Sequence, residues 1–151
     1  MRTVIQRVRS AQVHVDGIVV GRLGKGAVLL VGVEAGDTDE DALTTARKIA
    51  ALRFFPGRTP MDETLAEAGG GCLVVSQFTL AAALRKGNRP SFSRAEAPER
   101  ALELYQLVAG ELEHLGIPVA TGRFGKSMQV ELVNDGPVTL LLFVREGKVL
   151  E

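Results

Sequence analysis

Between two strongly β-like apolar stretches, residues 128–133 and 138–144, the chain places Asn134, Asp135, Gly136 and Pro137. No other segment narrows the backbone so tightly. Gly136 takes φ values that other residues avoid, while Pro137 fixes φ and removes a backbone donor. X-Pro bonds are also the one class with an appreciable cis population, about 5–6% in folded proteins. The segment reads as a tight turn joining two final strands. Such a turn also fixes the direction of bare carbonyl oxygens, which a binding site can use without any side chain.

Composition frames that turn. A chain of 151 residues suits one domain, 1–151, with a real core. Lys plus Arg and Asp plus Glu both number 18, so bulk charge announces no nucleic-acid partner and any such contact must come from a local patch. The single cysteine, Cys72, excludes an intramolecular disulfide and suits a reducing compartment. It sits in an apolar run, the setting of a structural thiol. No apolar stretch approaches the ~20 residues that span a bilayer, and the N-terminus lacks a signal-peptide core. The expectation is a cytoplasmic protein with no membrane partner.

Hydrophobic periodicity supplies the elements. Val4, Val8, Val13 and Val15 predict β-structure, and Asp16-Gly17 predicts a hairpin into Ile18-Val19-Val20. Gly24 and Gly26 open the continuous apolar run 27–33, which fits a strand buried on both faces. Asp37 is placed to cap a helix running to about Arg53, with Leu43, Ala46 and Ile49 at helical spacing. Residues 72–80 read as another buried strand, interrupted by Ser76-Gln77. Pro98 opens a second helix, with Leu102, Tyr105, Leu112 and Leu115 as its core stripe, and Gly116 and Pro118 end it. The expected fold is α+β: a mostly antiparallel, barrel-like sheet with two principal helices.

The common catalytic kits are missing. Neither His14 nor His114 has a partner at metal-ligand spacing, and there is no nucleophile elbow, P-loop or Cys-x-x-Cys. No metal or cofactor is expected. Two places resist a bland reading. Ser76, Gln77 and Thr79 interrupt an apolar strand, and a buried polar group left unbonded costs roughly 1–3 kcal/mol. They either face a pocket or satisfy neighbouring backbone, and the strand alone leaves both open. The loop Arg85-Lys86-Gly87-Asn88-Arg89-Pro90-Ser91-Phe92 sets cations beside an aromatic, which suits a phosphate backbone and a stacked base, although most such loops are simply solvated.

Taken in order, Ile5-Gln6-Arg7-Val8, Gly32-Val33, Ser76-Gln77-Phe78-Thr79-Leu80, Arg89-Pro90-Ser91-Phe92, Thr121-Gly122-Arg123-Phe124 and Asn134-Asp135-Gly136-Pro137-Val138-Thr139 resemble the D-aminoacyl-tRNA deacylase family over essentially the whole chain. The resemblance implies an esterase that cleaves a D-amino acid from the 3′-terminal adenosine of tRNA, a proofreading step in translation. It implies a homodimer with active sites at the subunit interface. There a Gly-cis-Pro motif from one subunit, here Gly136-Pro137 with Asn134, Val138 and Thr139, enters the other's pocket and excludes L side chains. Glycyl-tRNA, with nothing to clash, should also be cleaved. Ser76, Gln77, Phe78 and Thr79 would form the catalytic wall, with the substrate's 2′-OH assisting, and Arg85, Lys86, Arg89 and Phe92 would meet tRNA.

With no His or Lys evident to activate it, Thr79 is expected to position rather than attack. Met61-Asp62 and Ala81-Ala82-Ala83 depart from the family's usual residues, and the tail 145–151 suggests no role. The competing readings are a Thr-nucleophile esterase for small substrates and a non-enzymatic nucleotide-binding module.

Overall fold

The computed structural model describes residues 1–150, so Glu151, the end of that tail, lies outside it. One long strand, β1 (Arg2–Val15), is the spine of a seven-stranded mixed sheet. The Asp16-Gly17 turn, with φ of 50° and 77°, returns the chain as β2 (Ile18–Leu23), which pairs with the second half of β1. The first half of β1 pairs antiparallel with β3 (Gly26–Gly32). Helix α1 (Asp39–Ala51) carries the chain from β3 to its parallel neighbour β4 (Gly71–Ser76). Helix α2 (Pro98–His114) then leads to β5 (Val119–Thr121), parallel to β4. Strand β6 (Gln129–Arg145) runs along the free edge of β1, and β7 (Lys148–Leu150) folds back on it.

Period-two alternation divides the apolar residues between two cores. Ala27, Leu29 and Val31 of β3, with Cys72 and Val74 of β4, face the helices beside Ile49, Phe54, Leu104 and Leu112. Val28, Leu73 and Val75 point the other way, against Val8, Ala11 and Val13. Burying each such side chain contributes about 1.5–3 kcal/mol, so β3 and β4 are held from both sides. The sheet curls until β2 lies over β5, where a methyl group at Gly21 would stand 2.4 Å from the Thr121 carbonyl oxygen. That curl is the barrel-like feature. At the other end, Gly26 (φ 155°) lets β3 enter beside Gly71, whose carbonyl oxygen a Cβ would meet at 1.9 Å.

Four sequence expectations shift. The cap of α1 is Thr38, in a reciprocal box with Asp41, because only there do side chain and helix amide face each other. Asp37 instead accepts from the buried Met1 amine (2.8 Å) and from the Glu34 N–H (2.7 Å). The buried stripe of α2 is Leu104, Tyr105, Val108 and Leu112; Leu115 is 41% exposed because the helix has already ended. Strand β4 stops at Ser76 rather than running to Leu80. Finally, the two runs flanking Gly136-Pro137 are not two strands joined by a turn. Both pair antiparallel with β1 and form one strand, β6, interrupted by a bulge.

Candidate active site

Where β4 ends, the Gln77 N–H still bonds the Val31 carbonyl (2.8 Å), and Phe78–Ala81 then coil into one 3₁₀ turn. The change of backbone decides where the polar residues point. Ser76, Gln77 and Phe78 line a cleft of about 610 Å³, whose other walls are Ala95, Glu96 and Pro98 at the head of α2 and Phe124 to Met128 before β6. That size suits a nucleoside-scale ligand. Phe124 is seated on Tyr105, ring centroids 5.9 Å apart, and the Tyr105 hydroxyl donates to the Val74 carbonyl (2.8 Å). Burial pushes that phenol above its ordinary range.

Thr79 falls outside the cleft lining, on the exposed side of the 3₁₀ turn. Its Oγ1 accepts from the Gln77 side-chain amide, so the hydroxyl is held by a donor rather than by a base. Among the described residues, the N–H groups of Phe78 and Thr79 have no acceptor within the chain. Cys72, fully buried beneath, has its thiol pushed up to about 12 by burial and takes no part as a nucleophile.

The basic loop borders this cleft. Paired bonds between Ala83 and Ser91 (2.8 and 3.0 Å) close its neck, and Phe92 meets Phe78 edge-on at 5.1 Å. Arg85, Lys86 and Arg89 are exposed on the loop and, among the described residues, have no acidic partner. Their charge therefore faces solvent.

The Gly136-Pro137 bulge lies elsewhere on the sheet and lines no part of that cleft. Opposite β1, the pairing jumps from Gln6↔Thr139 to Val8↔Asn134, so residues 135–138 loop out against Arg7 alone. The Gly136–Pro137 bond is cis, and both residues are exposed. Asn134 ties the neck: its Oδ1 accepts from the Val138 N–H (2.7 Å), and its amide donates to the Val138 carbonyl (3.3 Å) and Thr139 Oγ1 (3.0 Å). Val138 is buried as the anchor of the loop. Gly136 has φ 139°, and a Cβ there would meet Val138 Cγ2 at 2.8 Å. Among the described residues, no side chain bonds the carbonyls of Gly136 or Pro137.

Sequence reasoning missed what holds this bulge in place. Arg7 is buried, with its Nε donating to the Asp135 carbonyl (2.8 Å) and Nη1 to that of Phe54 (2.7 Å), and its guanidinium sits 6.0 Å from the Phe55 ring centre. The signal was present. Alternation along β1 puts Arg7 on the same inward face as Thr3 and Ile5, and a charge there requires dedicated acceptors. Lys126 and Glu96 at the cleft were also missed, since neither belongs to a recognisable motif.

The family description D-Tyr-tRNA(Tyr) deacylase matches residues 4–143. A D-aminoacyl-tRNA deacylase of Anaeromyxobacter dehalogenans (strain 2CP-C) is 54% identical over 143 residues, covering 94% of this chain and 96% of the relative. One from Halalkalibacterium halodurans is 50% identical, covering 94% and 98%. A solved structure called c-Myc DNA Unwinding Element Binding Protein superposes with a TM-score of 0.90 at 34% identity, over 96% of this chain and 99% of that one. Another, described as a "probable eukaryotic D-amino acid tRNA deacylase", shares the fold with a TM-score of 0.75 at 18% identity, over 93% and 97%. Fold, cleft and relatives define a hydrolase. The chain belongs to the D-aminoacyl-tRNA deacylase family. No helix of the described residues is long and apolar enough to cross a membrane.

Proposed function

We propose that the enzyme hydrolyses the ester joining a D-amino acid to the 3′-terminal adenosine of tRNA, in the cytoplasm, as a homodimer whose active sites are shared. The observation that carries this reading is the separation within one chain of two half-sites. A nucleoside-sized cleft opens beside Ser76, Gln77 and Phe78, while the exposed Gly136-Pro137 pair, braced through Asn134 and Arg7, lies elsewhere. Each half-site is complete in its own bracing and lacks what the other has. An isologous dimer joins them twice.

In such a site the adenosine occupies the cleft against Phe78 and Phe124, and its ester carbonyl lies by the unbonded N–H groups of Phe78 and Thr79. Donors fixed before reaction stabilise a developing oxyanion without reorganisation, an effect worth about 2.7–4 kcal/mol per donor in other hydrolases. The lining offers no histidine, and the only carboxylate, Glu96, accepts from the Ala97 N–H (2.8 Å) and the Gly36 N–H (3.4 Å). An activated ester flanked by its own 2′-OH needs orientation more than a strong protein base. Thr79, held by Gln77, orients water or ribose rather than attacking.

The partner's Gly136 and Pro137 carbonyls receive the substrate α-ammonium, and their backbone occupies the space an L side chain needs. Selection by exclusion accepts D-amino acids and also glycine. Arg85, Lys86, Arg89 and Phe92 border the cleft where the acceptor end of tRNA enters. Deacylation of matched D-tyrosyl-, L-tyrosyl- and glycyl-tRNA tests the whole reading. D-tyrosyl- and glycyl-tRNA should lose their amino acid while L-tyrosyl-tRNA survives; equal cleavage of both enantiomers would refute selection by the bulge.

A further inference from the structure

We infer that Lys126 is the cation that receives the 5′-phosphate of the terminal nucleotide, so that the cleft recognises a nucleotide rather than a nucleoside. The inference rests on the reading of the cleft as the adenosine site. The lining is apolar along Val33, Phe78, Pro98, Phe124 and Met128, and Lys126 is its one cation. Among the described residues Lys126 has no ion-pair partner, whereas Arg2, Arg7, Arg47 and Arg100 are all engaged with carboxylates. Its backbone is fixed: the Lys126 N–H closes a turn onto the Arg123 carbonyl (3.2 Å), with Gly125 at φ 76°. The cation therefore stands on an anchored turn at the rim, free to meet an anion.

The remaining charges do not compete for this role. Glu96 is committed to two backbone amides, and Arg85, Lys86 and Arg89 lie on the separate loop outside the lining. A nucleotide whose base packs among Phe78, Phe124 and Met128 carries one anionic group, the 5′-phosphate, and the cleft wall carries one free cation. A lysine meets phosphate as a mobile point charge, without the planar geometry that arginine imposes.

Two readouts test this. Binding of AMP and adenosine to the intact enzyme, followed as Kd, needs no chemistry. AMP should bind roughly fivefold tighter than adenosine, and Lys126→Gln should abolish that preference while Lys126→Arg keeps most of it. In turnover, the KM preference for D-tyrosyl-AMP esterified on the ribose, over the same ester of adenosine, should fall by a similar factor in Lys126→Gln. An unchanged AMP preference in Lys126→Gln, or none in the wild type, overturns the phosphate role. Failure of the wild type to release D-tyrosine from D-tyrosyl-tRNA would instead overturn the deacylase reading, leaving the binding result to decide on Lys126.

Discussion

The cleft wall and the bulge, the two halves of the proposed site, are built by opposite means. The wall at Ser76 to Phe78 is shaped by the fold: it exists because β4, buried on both faces, ends there and coils over the core. The bulge at 135–138 is shaped by its own side chains, with Asn134 tying the neck and Arg7 bracing it from the helix side. A wall of the first kind changes only when the core repacks. A loop of the second kind is fixed by four hydrogen bonds, so one substitution displaces it while the domain stays folded.

The largest effect should come from Gly136→Ala. A Cβ 2.8 Å from Val138 Cγ2 and 3.1 Å from Arg7 Nη2, at φ 139°, forces the carbonyl pair to move. A displacement of about 1 Å in a positioning group costs on the order of a hundredfold in rate. The kcat/KM for D-tyrosyl-tRNA should fall by about that factor, with circular dichroism unchanged.

Arg7→Ala should come next, because it leaves the Asp135 and Phe54 carbonyls without their charged donor, at about 1.5–3 kcal/mol per bond. Thermal denaturation should show that loss, and discrimination between D- and L-tyrosyl-tRNA should weaken. An unaltered enantiomer ratio would mean that the bulge does not depend on its brace.

Thr79→Ala probes the other half. Loss of one positioning hydrogen bond should cost about 1 kcal/mol, roughly fivefold in kcat/KM. A loss of the order of 10⁴ or more would instead make Thr79 a nucleophile and break the contrast between the halves.

The smallest effect concerns neither half. Burial raises the Asp41 carboxyl, but hydrogen bonds from the Gly147 and Thr38 N–H groups more than offset it and hold it below its ordinary 3.8. A depressed carboxylate contributes stability above its unfolded pKa and loses it as pH falls through the folded value. Asp41→Asn should therefore cost about 0.5–2 kcal/mol near neutral pH, the range of a lost cap, with the gap to wild type closing below about pH 4 and activity unaffected at neutral pH.

The contrast also explains what the sequence made legible. Strands β3 and β4, both helices and the Asp16-Gly17 hairpin were readable, because apolar period, Pro98 and turn residues are local signals of global burial. The residues Gln77 to Leu80 read as strand in the sequence, since an apolar run does not reveal where its hydrogen-bond partner ends. Here the β3–β4 register ends at Val31, whose carbonyl receives the Gln77 N–H. The Gly136-Pro137 segment reads as a turn, since Asp-Gly-Pro chemistry is the same in a reversal and in a bulge. Only the long partner β1, pairing with both flanks, distinguishes them. Motif resemblance marks candidate residues in both places, and alternation along β1 turns Arg7 inward, but its two carbonyl partners and the place of Lys126 in the cleft wall emerge only in three dimensions.

The central claim is that the bulge acts in the cleft of a second copy, and subunit complementation tests it most directly. Phe78→Asp, which spoils the cleft, and Gly136→Ala, which spoils the bulge, should each be nearly inactive alone. After mixing and subunit exchange, half the dimers are mixed and each has one site with an intact cleft and an intact incoming bulge, so about a quarter of wild-type activity should return. If the mixture stays as inactive as its components while size-exclusion chromatography and light scattering show exchanged dimers, the bulge and cleft of one chain work together and the shared-site account is wrong.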